Sequence, residues 1–274
     1  MMVRDAIERY GTALAGLVLF AVFAATAPRF LDPTNLLNVL KHASVLALFA
    51  LGVTLALVTA ELDLSFANVA SLAAVVTGYL VHKGYPVPLA VASGLCVGTA
   101  GGFFNGLLVT QLKIPSLIAT LGTAAIANGF AFWATQGVAF VGRWPAEFTA
   151  LARGYVFGIP APVLWAAAAA LIAVFVLKQT RLGLHMTATG DADEAARLAG
   201  IATARMKLIG MTMFEPGHAN VPGTVTGAVI LALLNNGLVL IGAPYFMQDI
   251  LLGVTIVAAV ALSASTLKRA AFAV

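Results

Sequence analysis

The sequence predicts an all-α fold, a polytopic transmembrane helical bundle of about eight spans, forming a single domain over residues 1–274. Three observations carry this. Hydrophobic residues make up 61% of the chain and charged residues 9%, against roughly 25% charged in a soluble domain, too few to cover a water-facing surface. Apolar runs approaching the roughly 20 residues a helix needs to cross the hydrocarbon core recur along the whole length. The runs are continuous and rich in Ala, Leu and Val, whereas a membrane β-barrel would show short alternating segments.

Taken in order, the spans are expected near 10–27, 39–60, 66–82, 88–110, 116–135, 161–177, 224–241 and 247–267. The first follows Arg4 and Arg9 and ends at Ala25-Thr26-Ala27, a small-residue pattern that mimics a signal cleavage site. Pro28 would then open the mature chain, so an uncleaved first span is expected. The third is the weakest, diluted by Thr77, Gly78 and His82. The fourth carries Gly94, Gly98, Gly101, Gly102 and Gly106, and the spacings Gly98-x-x-x-Gly102 and Gly102-x-x-x-Gly106 predict a groove for close helix approach.

Lys and Arg set the orientation. With the N-terminus in the cytoplasm, ten of the 15 basic residues fall on inside segments and five on outside segments, so both termini are expected inside. Residues 136–160 then face out, with Trp144 and Tyr155 as interface anchors, and the charged loop 178–207 faces the cytoplasm. The net charge of +4 does not indicate nucleic acid, because the basic residues are scattered between apolar runs. One cysteine, Cys96, excludes an intramolecular disulfide, and the four histidines show no ligand spacing. Neither a metal nor a cofactor is expected, and no catalytic residue.

The loop 178–207 is the most informative segment. Asp191 followed by Glu194 resembles a capping box, Arg197 suits a helix C-terminus, and Gly200 sits where a left-handed residue would end the helix. A helix of about two turns is predicted, too short to stand alone. Its alanines, Ala192, Ala195, Ala196 and Ala199, form a small-residue face for docking.

The run Gly190-Asp191-Ala192-Asp193-Glu194-Ala195-Ala196-Arg197-Leu198-Ala199-Gly200-Ile201 resembles the coupling loop of the ribose-type ABC permease family. Glu61-Leu62-Asp63-Leu64-Ser65, Asn105 to Val109 with Ile114 to Thr123, and Leu234-Asn235-Asn236-Gly237-Leu238 resemble three other stretches of that family, in family order. The resemblance implies a permease subunit of an ATP-driven importer of a monosaccharide or related polyol in a bacterial inner membrane. It implies pairing with a second permease subunit, as a homo- or heterodimer, a cytoplasmic ATPase and an external sugar-binding protein. It assigns ATPase coupling to Gly190, Asp191, Glu194, Ala195, Ala196, Arg197, Leu198 and Gly200. No Gly-x-x-x-x-Gly-Lys-Ser/Thr loop occurs, so ATP hydrolysis would come from a separate chain.

The pattern breaks near residues 211–223. The span that begins at Met206 is interrupted by Glu215-Pro216-Gly217-His218-Ala219-Asn220-Val221-Pro222, where Pro216 and Pro222 are expected to stop the helix. A shortened permease is expected. Two alternatives are a secondary transporter, against which stands the lack of a buried acid pair or inverted repeat, and a non-transporting permease remnant.

Polar residues in spans mark candidate substrate paths: Asn105, Asn128, Asn235 and Asn236, whose amides suit sugar hydroxyls, and Asp63. The competing expectation is interhelical hydrogen bonding for the asparagines. For Asp63, with Ser65, it is a helix-start role.

Overall fold

A computed structural model describes residues 2–56, 59–213, 221–244 and 246–255. In chain order its helices are α1 (Met2–Thr26), α2 (Pro33–Ala56), α3 (Phe66–His82), α4 (Val87–Thr110), α5 (Ser116–Thr135), α6 (Ala146–Arg153), α7 (Ala161–Gln179), α8 (Arg181–Asp191), α9 (Asp193–Leu198), α10 (Thr203–Met213) and α11 (Val221–Leu240). Two-residue strands, β1 (Tyr155–Val156) and β2 (Ile159–Pro160), pair antiparallel before α7.

Among the described residues, five segments are long and apolar enough to cross a membrane: Pro33–Gly52, Val87–Thr110, Ser116–Thr135, Ala161–Gln179 and Val221–Leu240. Three shorter apolar helices, Ala13–Thr26, Phe66–His82 and Phe246–Thr255, fall on the remaining expected spans. The last of these spans continues beyond the described residues. The chain is a multi-pass, all-α membrane protein.

It forms two compact units, Met1–Ala43 with Thr226–Val274, and Ser44–Val225. In the first, Phe23, Ala27 and Phe30 pack with Val39 and Ala43 of α2 and with Ala232, Leu233 and Leu238 of α11. Phe30 meets Phe20 edge-on at 5.4 Å between centroids. Gly237 lies flat on the Phe23 ring, where any β-carbon would overlap it. Lipid tails are as apolar as the side chains, so it is this close fit, rather than escape from water, that holds such helices together.

In the second unit α4 is the central element, with α3 and α5 on it and α10 laid along it. The glycines that permit this differ from the expected groove. A β-carbon at Gly94 would strike the Thr77 hydroxyl, and one at Gly101 would sit 2.7 Å from Val69 Cγ1, so these two face α3. Gly106 faces α10, with Leu208 Cδ1 2.6 Å from where its β-carbon would be. Gly98 has open space instead. The contact face towards α3 repeats at seven residues, close to two full turns of 3.6, which the four-residue pattern does not anticipate.

Helix ends follow local chemistry. Gly200 adopts φ +85° after α9, and the Ile201 and Gly200 amides donate to Ala196 and Arg197 carbonyls at 3.0 Å each. This is a Schellman termination. Pro222, expected to stop a helix, instead opens α11 in its first turn, where its missing N–H costs nothing. Pro216 lies outside the described residues. At the β1–β2 turn Phe157 and Gly158 both take positive φ, 50° and 80°, the requirement of a two-residue type I′ turn.

Candidate functional site

The segment between α2 and α3, Glu61 to Ser65, is not helical, and its polar groups are held by neighbouring helices. Leu62 donates its N–H to Ser116 Oγ at 3.3 Å, and Thr120 Oγ1 donates back to the Leu62 carbonyl at 3.2 Å. Ser116 is the first residue of α5 and Thr120 lies one turn on, so the two present side chains to one strip of backbone. Asp63 Oδ1 accepts both the Ser65 N–H and the Ser65 hydroxyl at 2.7 Å. Ser65 Oγ in turn accepts Asn105 Nδ2 of α4 at 2.7 Å.

A chain Asp63–Ser65–Asn105 therefore runs from the loop into the helix interior. Asn105 is fully buried, and its Oδ1 has no hydrogen-bond partner among the described residues. The helix-start role expected of Asp63 takes this form, bracing Ser65 ahead of α3, and Ser65 makes no side-chain cap to the helix amides.

Glu61 opens the same segment and reaches the charged loop. Lys207 Nζ of α10 lies 3.0 Å from Glu61 Oε1 and 2.9 Å from Asp193 Oδ2 of α9. The Thr203 hydroxyl first, and then the Lys207 ammonium, hold the Asp193 carboxyl below the ordinary carboxylate range. These residues line a cleft of about 330 Å³ with Lys113, Thr110 and Ser116. Glu61, Lys113 and the charged loop 178–207 thus share one cleft.

In the expected coupling helix, α9 starts at Asp193 rather than Asp191. Asp191 ends α8, and Ala192 between them takes an extended φ of −157° with ψ 86° and makes no side-chain cap. The expected capping box is not formed. Thr180 caps α8 by accepting the Gly183 N–H at 3.2 Å, and this turn sets the frame in which α8 runs on through Gly190. Of the alanines expected to dock, Ala196 alone is buried. Glu194, Arg197 and Leu198 point outward, the first two joined in an exposed pair at 2.6 Å and Leu198 77% exposed. Ala195 and Gly200 are exposed, and Gly190 and Asp191 lie at the end of α8. A second cleft of about 500 Å³ beside α9 is lined by Arg197, Arg205 and Leu208.

The remaining path candidates separate. Asn236 of α11 exchanges two hydrogen bonds with Asn35 of α2, at 3.0 and 2.9 Å, and Asn35 Nδ2 also donates to the Phe30 carbonyl at 2.9 Å. Asn128 and Asn235 are exposed. Sequence alone does not single out Asn35, Asp193 or Lys207. Asn35 lies in the first turn of α2, ahead of the apolar run that defines the span, and Lys207 reads there only as an orientation charge. The partner of Asn35 is 201 residues away in the chain, and Lys207 bridges Asp193 of its own loop to the remote Glu61.

No group of three or more His, Cys, Asp or Glu side chains is placed to hold a metal ion among the described residues. Apolar helices of bilayer length define a multi-pass membrane protein, with the cluster of Glu61, Asp193 and Lys207 on its loop side. The chain belongs to the family described as branched-chain amino acid transport system / permease component, whose model matches residues 35–214. The resemblance read from the motifs is borne out at this level.

Among its relatives, the autoinducer 2 import system permease protein LsrC of Salmonella typhi is 33% identical over 224 residues, covering 81% of this chain and 64% of that protein. The LsrC protein of Escherichia coli O9:H4 is 34% identical over 203 residues, covering 74% of this chain and 59% of that protein. The ribose import permease protein RbsC of Bacillus subtilis is 28% identical over 297 residues, covering 93% of this chain and 92% of that protein. The chain thus spans slightly less than two thirds of the LsrC proteins it matches. No solved structure matches it.

Proposed function

We propose that this chain is the permease subunit of an ATP-binding-cassette importer that moves a monosaccharide or related polyol across a bacterial inner membrane. The observation that carries the reading is α9. It is a two-turn helix whose buried residue is Ala196 and whose Glu194, Arg197 and Leu198 are presented outward beside an open cleft. That is the form a helix needs in order to seat in a partner's surface. The partner proposed is a cytoplasmic ATPase, with Gly190, Asp191, Glu194, Ala195, Ala196, Arg197, Leu198 and Gly200 as the coupling residues. A second permease subunit and an external sugar-binding protein complete the assembly, and both termini face the cytoplasm. The ribose and autoinducer 2 permeases among the relatives support the substrate class.

Of the polar candidates, Asn128 and Asn235 offer exposed amides to a substrate. Asn105, Asp63 and Asn236 are engaged with protein partners, and act on the path by holding its walls.

The chain is a shortened member of its family. The family match ends at residue 214, where the motif pattern breaks. The alignment with the ribose permease covers 297 positions, whereas 93% of 274 residues supplies roughly 255, leaving about 40 positions without a counterpart here. In the sequence, the span that begins at Met206 meets Glu215-Pro216 after nine residues, which as helix would rise about 13 Å against the roughly 30 Å hydrocarbon core. This specific observation sustains a second reading, a permease remnant that binds its partners without conducting.

The test is a mild-detergent purification of the tagged chain from native membranes, with partners identified by mass spectrometry and uptake of labelled sugars measured alongside. Recovery of an ABC-type ATPase together with uptake that requires it supports the importer. An ATPase without uptake supports the remnant. A folded chain recovered with no ATPase overturns both.

A further inference from the structure

We infer that Lys207 is a positioning residue for coupling, the cation that ties the α9 helix to the Glu61–Ser65 segment, so that displacement of one is passed to the other. The inference rests on the permease reading of α9 and goes beyond it by naming the mechanical joint.

Three features of the molecule lead to it. The charged side chains of α9 divide by direction: Glu194 and Arg197 pair with each other on the exposed face, while Asp193 turns inward to Lys207. Next, Lys207 serves two carboxylates that belong to different parts of the chain. Its Nζ is 2.9 Å from Asp193 and 3.0 Å from Glu61, and the Lys207 and Glu61 side chains are only 21% and 14% exposed. An ammonium carries three donors on a flexible stem and can hold two acceptors in different directions, which the flat fork of arginine does less well. Without it, two carboxylates would face each other across one cleft, with Lys113 as the cation at its edge.

Finally, Glu61 is not a free end. The residues that follow it are fastened to α5 through Leu62 and to α4 through the Asp63–Ser65–Asn105 chain, and Ser65 begins α3. Ion pairs, hydrogen bonds and a short stretch of backbone therefore run without a break from an exposed two-turn helix to a fully buried asparagine between the helices. The sequence motifs place these residues in unrelated roles, since 61, 193 and 207 share no motif.

A contiguous network shows that movement can be transmitted, and only coupling measurements show that it is. The test uses the full-length chain in lipid nanodiscs, with any ATPase that co-purifies, and compares wild type, Lys207→Met, Lys207→Arg and the exchange Glu61→Lys/Lys207→Glu. Two quantities are read: amide hydrogen exchange over residues 61–66, and uptake per bound ATPase after transfer to proteoliposomes.

In Lys207→Met, exchange at 61–66 should rise about tenfold while α11 is unchanged. Uptake should fall at least tenfold with the ATPase still bound. Lys207→Arg should recover part of both. The Glu61→Lys/Lys207→Glu variant restores that ion pair but sets the new carboxylate on α10 against Asp193, so it should restore protection at 61–66 and leave uptake low. That split is one a merely structural role would not produce.

Wild-type exchange and wild-type uptake in Lys207→Met overturn the inference. So does protection and uptake returning together in the exchange variant. If wild type binds no ATPase, the permease reading fails on its own. The exchange measurement still decides the joint, because unchanged protection at 61–66 in Lys207→Met then overturns it.

Discussion

Replacing Ser65 with alanine should destabilise the protein far more than the loss of one small hydroxyl suggests. The Ser65 residue is 1% exposed, donates to Asp63 Oδ1 and accepts from Asn105 Nδ2, both at 2.7 Å. A hydrogen bond to a carboxylate contributes about 1.5–3 kcal/mol, and an interhelical side-chain bond in a membrane about 0.6 kcal/mol on average. Alanine leaves almost no cavity, so packing adds little. Asp63 keeps the Ser65 N–H. Asn105, whose Oδ1 has no partner among the described residues, would lose the partner its Nδ2 has in Ser65. The expected cost is about 2–3 kcal/mol, or roughly a 30-fold to 160-fold change in the folded ratio. Equilibrium unfolding in mixed micelles measures it.

The same argument predicts that Asn105→Leu, of similar volume and with nothing to satisfy, recovers about 1 kcal/mol when added to Ser65→Ala. A Ser65→Ala protein within about 0.5 kcal/mol of wild type would refute the reasoning, because that is the scatter expected of an unremarkable surface change. So would a double variant no more stable than the single.

Three further outcomes are expected. Replacing Glu194 and Arg197 together should weaken ATPase association in a pull-down yet leave insertion and thermal stability unchanged, since an exposed ion pair adds little to folding. A β-carbon at Gly101 meets Val69, stiff at its branched β-carbon, so Gly101→Ala should cost about 1–3 kcal/mol, and Val69→Ala in the same chain should recover part of it in thermal melts. The Asp193 carboxyl is held below its ordinary value of 3.8, so its contribution to stability is fully present above that pH and is lost as pH falls through the lower folded value. The melting-temperature gap between wild type and Asp193→Asn should accordingly be constant from about pH 5 to 8 and close below about pH 4.

Much of the fold is legible because a membrane span announces itself by length and composition alone. Each expected span coincides, over the described residues, with a helix or an apolar segment of one, including the weak third at Phe66–His82. What stays hidden are structures that depend on local competition. Asp191 offers a good capping residue, yet it is the last residue of α8, and Ala192 stands at the N-cap of α9. Pro222 could either stop one helix or open the next, and sequence order does not say which.

The site divides the same way. Asn105, Asp63 and Asn236 are visible as polar residues in apolar surroundings, but their partners Ser65 and Asn35 set what they do. Lys207 reads as a plain charge and Glu61 as the first residue of a motif, and their pairing exists only once α10 lies along α4.

The reciprocal amides of Asn35 and Asn236 have a consequence for how the two residues of the Asn235-Asn236 pair can be used. Each side chain donates to and accepts from the other, so the pair ties α2 to α11 within the first unit. A hydroxyl approaching Asn236 must offer both a donor and an acceptor in the right places merely to break even. Beside it, Asn235 stands open to any polar visitor. Two neighbouring asparagines thus differ in kind: the Asn235 side chain is exposed, whereas any new partner of Asn236 must first replace the hydrogen bonds that Asn35 supplies.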